Sequence, residues 1–248
     1  MKSYRDHLIT PQNITVVFSE GPPISITRDD NRFERLLELI KTHHFEQITQ
    51  LVDKPTLIRE HTKGKFTVTD GVVVIDEEQL PIALSDKLLE FVDQSLDTRP
   101  LENFWHNLKK NPLEASKRDL FEFMRANKMP ITPAGNFIAY KRVKDDYYDF
   151  HTGTLHNAPG KILKMEREEV NSDRNQTCSH GLHVAAYEYA DKHYHANQGI
   201  MLEVEVNPKD VVAVPPDYKQ QKMRVCRYKV IGLATKEILD LVYQPINK

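Results

Sequence analysis

The sequence predicts an α+β fold, and three observations carry that prediction. β-branched runs bounded by turn residues recur along the chain, apolar stripes at helical spacing fill residues 82–127, and from about residue 136 short alternating runs take over. We expect a helix-rich unit with β-hairpins at 1–133 and a β-rich α+β unit at 134–248, with no low-complexity linker between them.

Taken in order, Ile14 to Phe18 and Ile24 to Thr27 are strand-like, and Glu20-Gly21-Pro22-Pro23 supplies the turn between them. Asp29 or Asp30 is placed to cap a helix in which Phe33, Leu36, Leu37 and Ile40 share a face. A second helix over about 44–52 stops before Pro55. KFTVTDGVVVID predicts another hairpin, with Asp70-Gly71 as its type I′ turn. Ser85 is a candidate cap for a helix carrying Leu88, Leu89, Val92 and Leu96, and Pro100 opens one with Leu101, Phe104, Trp105 and Leu108 on one face. Ser116 with Asp119 resembles a capping box ahead of Leu120, Phe121 and Met124. Beyond residue 136, FIAYKRV, KILKM, GLHV, IMLEVEVNP, DVVAVP and MRVCRYKVIG read as strands. AAYEYADKHYH reads as a helix with Tyr187, Ala190 and Tyr194 on one face.

Charge and cysteine content narrow the function. The 248 residues hold 34 basic against 36 acidic side chains, a net charge of −2 that excludes a broadly basic nucleic-acid coat. Two cysteines, Cys178 and Cys226, form no disulfide framework and point to a reducing cytoplasm. No apolar run approaches a membrane span, and MKSYRDHLITPQ lacks the apolar centre of a signal peptide, so a soluble intracellular chain is expected.

Three patterns carry candidate chemistry. Six histidines fall between His151 and His195, densest in Cys178-Ser179-His180-Gly181-Leu182-His183, but strand alternation sends His183 away from Cys178 and His180, and no second ligand pair completes a metal set. Cys178 with His180 or His183 has the composition of a nucleophile and its base, a loose fit because such chemistry also requires a cleft and a lowered thiol pKa. The third pattern is basic charge beside aromatic rings. Tyr140, Lys141, Arg142 and Lys144 lie on or after one strand, and Lys219, Lys222, Arg224, Arg227, Tyr228 and Lys229 on or before the last. Residues 207–248 carry eight Lys/Arg against four Asp/Glu, so neutrality is an average over a balanced body and a basic end. Forked donors and π faces suit a nucleotide, whereas a solvated edge strand is the plainer reading. The stripe of Phe104, Trp105 and Leu108 is either core or an assembly surface.

Several blocks in series resemble the rIIB-like family of phage lysis-inhibition proteins: DGVVVIDEEQLPIALSDKLLEF, PLENFWHNLKKNP, MPITPAGNFIAYKRV, DFHTGTLHNAPGK, DRNQTCSHGLHVAAYEYA, VEVNPKDVVAVPPDY and KMRVCRYKV. The resemblance covers about 70–232 and leaves the first sixty residues unmatched. It implies a phage protein of the infected cell's cytoplasm that affects lysis timing and growth on hosts with a prophage exclusion system, with an rIIA-like phage protein or a host defence protein as partner. The helix-turn-helix at the start of the T-even representative has no counterpart here, so DNA binding is not implied.

Residues 137–231 are also weakly similar to ADP-ribosyltransferases of the poly(ADP-ribose)-polymerase type. Gly181-Leu182-His183-Val184-Ala185, followed by Tyr194, stands where that family has its Gly-Ile-Tyr-Phe-Ala block and later tyrosine. That resemblance implies a split sheet. It also implies a lost catalytic set, because Tyr140-Lys141-Arg142 replaces the His-Gly pair and Met223-Arg224 the glutamate. The sequence thus predicts binding without a catalytic residue, cofactor or metal. The leading expectation is a protein partner. The alternative is a small anionic nucleotide held by Tyr140, Lys141, Arg142, His180, His183, Tyr187, Tyr194, Lys222 and Arg224.

Overall fold

The computed structural model describes residues 3–243 apart from Asn31, Asp70, Gly71 and Lys128. Contacts group the chain as 1–80 and 81–248, so the helices over 82–127 share a unit with the large sheet.

In the first unit, strands β1 (Tyr4–Ile9), β2 (Asn13–Phe18) and β3 (Ile24–Thr27) form an antiparallel sheet in that order. Alternation on β2 buries Ile14, Val16 and Phe18, which pack with Ile26 against α1 (Phe33–Lys41) and α2 (Phe45–Val52). The polar edge strand β1 has no apolar alternation to announce it; pairing with β2 creates it. Asp30 does not cap α1. Its carboxylate accepts the Arg32 backbone N–H at 2.9 Å and pairs with the Arg32 guanidinium, and Arg32 itself is the N-cap. Pro55 ends α2 as expected but sits in the first turn of a further helix, α3 (Lys54–His61), where a missing N–H costs nothing. Strands β4 (Thr67–Thr69) and β5 (Val72–Ile75) make the expected hairpin, extended by β6 (Glu78–Gln79). Its Asp70-Gly71 turn lies outside the described residues.

The second unit opens with α4 (Ile82–Asp93), α5 (Arg99–Lys109) and α6 (Glu114–Asn127). Both proposed serine caps are displaced, because each helix starts before its serine. Ser85 lies inside α4, whose N-cap is Pro81. Ser116 lies inside α6, where its hydroxyl donates to the Val212 carbonyl at 2.6 Å, and Asp119 pairs with Arg174. Phe104 and Leu108 are fully buried and Trp105 nearly so, which makes this stripe core and corrects the assembly-surface reading.

Strands β7 (Phe137–Val143), β8 (Ile162–Lys164) and β9 (Leu182–Ala185) precede α7 (Tyr187–Lys192), and β10 (Ile200–Val206), β11 (Val211–Ala213), β12 (Lys222–Val225) and β13 (Arg227–Leu233) follow it. They form a seven-stranded antiparallel sheet of order β11-β12-β9-β7-β10-β13-β8. MRVCRYKVIG, read above as one strand, is two, parted only at Cys226. The first half pairs with β9 and β11, the second with β10 and β8. Since β9, β7 and β10 intervene in ladder order, the sheet curls back on itself. The curl is incomplete where β7 meets β9, which share the single register pair Tyr140↔Ala185, whereas β7 and β10 are paired along seven residues. The sheet is therefore split, within the α+β class that the sequence predicts.

One sheet face is almost wholly apolar, with Phe137, Ala139, Val204, Val184, Met223 and Val230 all buried. The α5–α6 connection is fastened to the β10–β11 turn by Asn111, 1% exposed, whose amide donates to the carbonyls of Pro208 (2.9 Å) and Val211 (2.8 Å) and accepts from the Leu113 N–H. The turn before β7 lies so close to α5 that a Cβ on Gly135 (φ +75°) would stand 2.3 Å from the backbone of Phe104. Among the described residues no helix is long and apolar enough to cross a membrane. Asn111→Ala removes all three of these hydrogen bonds at a buried position, and urea unfolding is expected to show a loss of about 2–3 kcal/mol. An unchanged midpoint would remove this tie from the account.

Candidate functional site

Direct register partners share a sheet face, so the ladders assign each nominated strand residue a side. Tyr140 opposes Ala185, Lys222 opposes Ala185 from the other neighbour, and Arg224 opposes His183. Tyr140, Arg142, His183, Lys222 and Arg224 therefore lie on one face, and Lys141 on the other. Tyr187, at the start of α7, meets the Tyr140 ring edge-on at 5.1 Å. The Tyr140 hydroxyl oxygen accepts the Ile238 backbone N–H at 2.9 Å, and burial pushes the phenol up to about 12.

Both nominated arginines are turned to backbone carbonyls. Arg224 is 0% exposed, and its guanidinium donates to Asn171 (2.8 Å), Asp173 (2.6 Å) and Gln176 (2.6 Å), holding the 171–176 loop at three points. Gly181 lets this loop close over the sheet: at φ +147° an added Cβ would lie 2.8 Å from Val170 Cγ1 and 3.3 Å from Arg224 Cδ. Arg142 donates to the carbonyls of Ala190 (2.8 Å) and Gln198 (3.2 Å) and reaches Asp191 at 3.3 Å, so it ties down the C-terminal end of α7, where a cation is favoured. Lys222, also buried, pairs with Asp217 at 2.7 Å and lies over the Tyr189 ring.

Lys141 is the polar exception on the apolar face. Its ammonium donates to the His183 carbonyl at 2.9 Å, across the opening between β7 and β9, and lies 5.6 Å from the Tyr228 ring centre. Burial lowers it to about 8, opposed in part by the charge of Asp149. The His183 imidazole is pulled down to about 4, first by burial and then by the charges of Lys141 and Arg224, so it is neutral near pH 7. Burial would raise the Asp149 carboxyl, but N–H groups of Thr152 and Leu155 outweigh it and hold it at about 2. The Tyr228 hydroxyl donates to Asn157, which is itself fully buried and donates to the Leu155 carbonyl.

The remaining nominated residues stand apart. His180 is exposed in the loop before β9, and Tyr194 lies beyond α7, half-buried against Phe150 and His195, whose rings stack at 4.0 Å. Cys178 is an exposed free thiol. Among the described residues, no group of three or more His, Cys, Asp or Glu is arranged to hold a metal ion. Asp149 and Asn157 organise this region and escaped sequence reading. The Asp-x-x-Thr-Gly-Thr run at 149–154 was the available signal, since an aspartate there can take its own downstream N–H groups.

These contacts make Arg224 a positioning residue. Arg224→Met removes three charge-assisted bonds, with an expected cost of at least about 3 kcal/mol, and limited trypsin digestion of the variant should open the chain at Arg174. Resistance equal to the parent protein would show that the loop is held by other means. His183 yields a separate expectation. Its folded value of about 4 lies below the ordinary 6.5, so the unfolded chain binds the extra proton. Its neutral form is tolerated fully above about pH 6.5, and stability declines as pH falls toward 4. His183→Gln should flatten this part of the stability–pH curve in urea titrations, and a curve of unchanged slope would contradict the assignment.

No solved structure matches the chain, so the similarity to ADP-ribosyltransferases gains no support from known folds. Protein rIIB of Enterobacteria phage T4 is 33% identical over 207 residues, a match covering 84% of this chain and 66% of that relative's length. The family profile described as Bacteriophage T4 protein rIIB matches residues 4–239. That span extends the narrower resemblance at 70–232, because it begins in β1 and takes in residues 4–69 as well. With nearly all of both compact units matched, the chain belongs to the bacteriophage T4 rIIB family.

Proposed function

We propose that this chain is a phage accessory protein that works by binding inside the infected cell's cytoplasm, where it tunes lysis or counters a host exclusion or defence system. The observation that carries this reading is family membership across residues 4–239. The internal use of the strongest nominated cations is in keeping with it. Arg142 and Arg224 spend their donors on the protein's own carbonyls, as expected of a scaffold whose shape is its product. The partner in this proposal is a protein, either an rIIA-like phage protein or a component of the host system.

The test is genetic. Removing the reading frame from a phage that carries it should alter lysis time and plaque size, or abolish growth on hosts with an exclusion system, and supplying the chain in trans should restore the parent behaviour. Unchanged lysis time, plaque size and host range across defence-carrying strains would overturn the proposal.

A further inference from the structure

The basic excess near the C-terminus divides sharply in the structure. Lys222 and Arg224 are buried and paired, whereas Arg227 and Lys229, on the same sheet face but beyond Cys226, are exposed. Among the described residues neither forms an ion pair. Both line a cleft of ≈ 250 Å³ at the end of the sheet where β7 begins and β10 ends, and the exposed Lys209 joins them. Arg227, Tyr228 and Lys229 belong to the basic-aromatic pattern of the sequence, but none of the nine residues assigned there to a nucleotide lines this cleft.

The opposite charge and the free acceptors there are as informative as the cations. Glu205 spends one carboxylate oxygen on the Asn136 amide (2.8 Å) and the Thr132 hydroxyl (3.3 Å). Asp210 is half-buried among Lys209, Arg227 and Arg167, and burial raises its carboxyl. Asn136, its orientation set by that bond to Glu205, keeps Oδ1 buried with no hydrogen-bond partner among the described residues. A simple anion would satisfy the cations and leave these acceptors facing it unfavourably. A neutral polyol would use the acceptors and waste the forked guanidinium. A ligand with an anionic end and several hydroxyl donors answers both.

We infer that this cleft binds a phosphorylated sugar, free or as the sugar phosphate of a nucleotide, with Arg227, Lys229 and Lys209 on the phosphate, and with Glu205, oriented by Asn136, and Asp210 accepting from the hydroxyls. The cleft is of a size for one such unit. This goes beyond the lysis reading and does not rest on it, since it concerns a ligand measured on the isolated chain.

Calorimetric titration of the full chain with ribose 5-phosphate, AMP, inorganic phosphate and ribose tests it. Ribose 5-phosphate or AMP should bind saturably and at least about tenfold more tightly than phosphate or ribose. Equal binding of the first two identifies the sugar phosphate as the determinant, and tighter binding of AMP identifies a nucleotide. The double variant Arg227→Ala/Lys229→Ala alters exposed side chains, so it should unfold at the parent temperature and lose at least about tenfold in affinity. No saturable binding of either phosphosugar, phosphate binding as tight as theirs, or affinity unchanged in the double variant would overturn the inference.

Discussion

The one-residue separation of β12 and β13 constrains the rest of the second unit. From Val225 to Arg227 the chain spans at most about 7 Å, yet β9, β7 and β10 lie between these strands in ladder order. The sheet has to curl for both statements to hold. Curling gathers the apolar side chains of β7, β9, β10, β12 and β13 onto one buried face, which supplies the main hydrophobic stabilisation of the sheet. The same constraint leaves β7 and β9 in contact at a single pair, and the Lys141 ammonium bridges what the ladder does not.

Cations on the other face are used as fasteners. A guanidinium buried without partners would be costly, and Arg224 avoids that by donating to three carbonyls of the 171–176 loop. Arg142 does the same at the end of α7. Each cost of burial is thus offset by the needs of another segment, and the contacts hold irregular chain as firmly as a ladder would. Beyond Cys226 the covering segments end, and cations of the same sheet face are left to solvent. One row of basic residues therefore contains both structural ties and free charge.

Much of this was legible in the sequence, for reasons that differ by element. Alternation announces β2, and helical spacing announces α5, because each buries one face only. Pro55 is ambiguous by nature, since the same ring that ends one helix can open the next. Ser85 and Ser116 read as caps because propensity sees the residue type and not the Val212 carbonyl to which Ser116 donates. The run 222–233 reads as one strand because a break of one residue leaves no turn chemistry behind. At the candidate site, residue type gave the right strands but not the fate of their charges: nothing local distinguishes Arg224, bonded to three carbonyls, from Arg227, which has no ion pair among the described residues.

Cys226 also sets a phase. Arg224 and Arg227 share a face although three positions apart, and Val225 and Tyr228 share the other, so the alternation slips by one across this residue. Its thiol carries little of that role: it is a small buried group with a weak contact to Asp210. What matters is that one residue stands there. In terms of mutational drift, the position tolerates exchange far better than omission. A deletion would restore plain alternation with the same faces, but it would remove the extra residue with which the chain leaves the β9 ladder and enters that of β10. The passage from one ladder to the next is thus a matter of counting, kept by a residue whose chemistry is almost incidental.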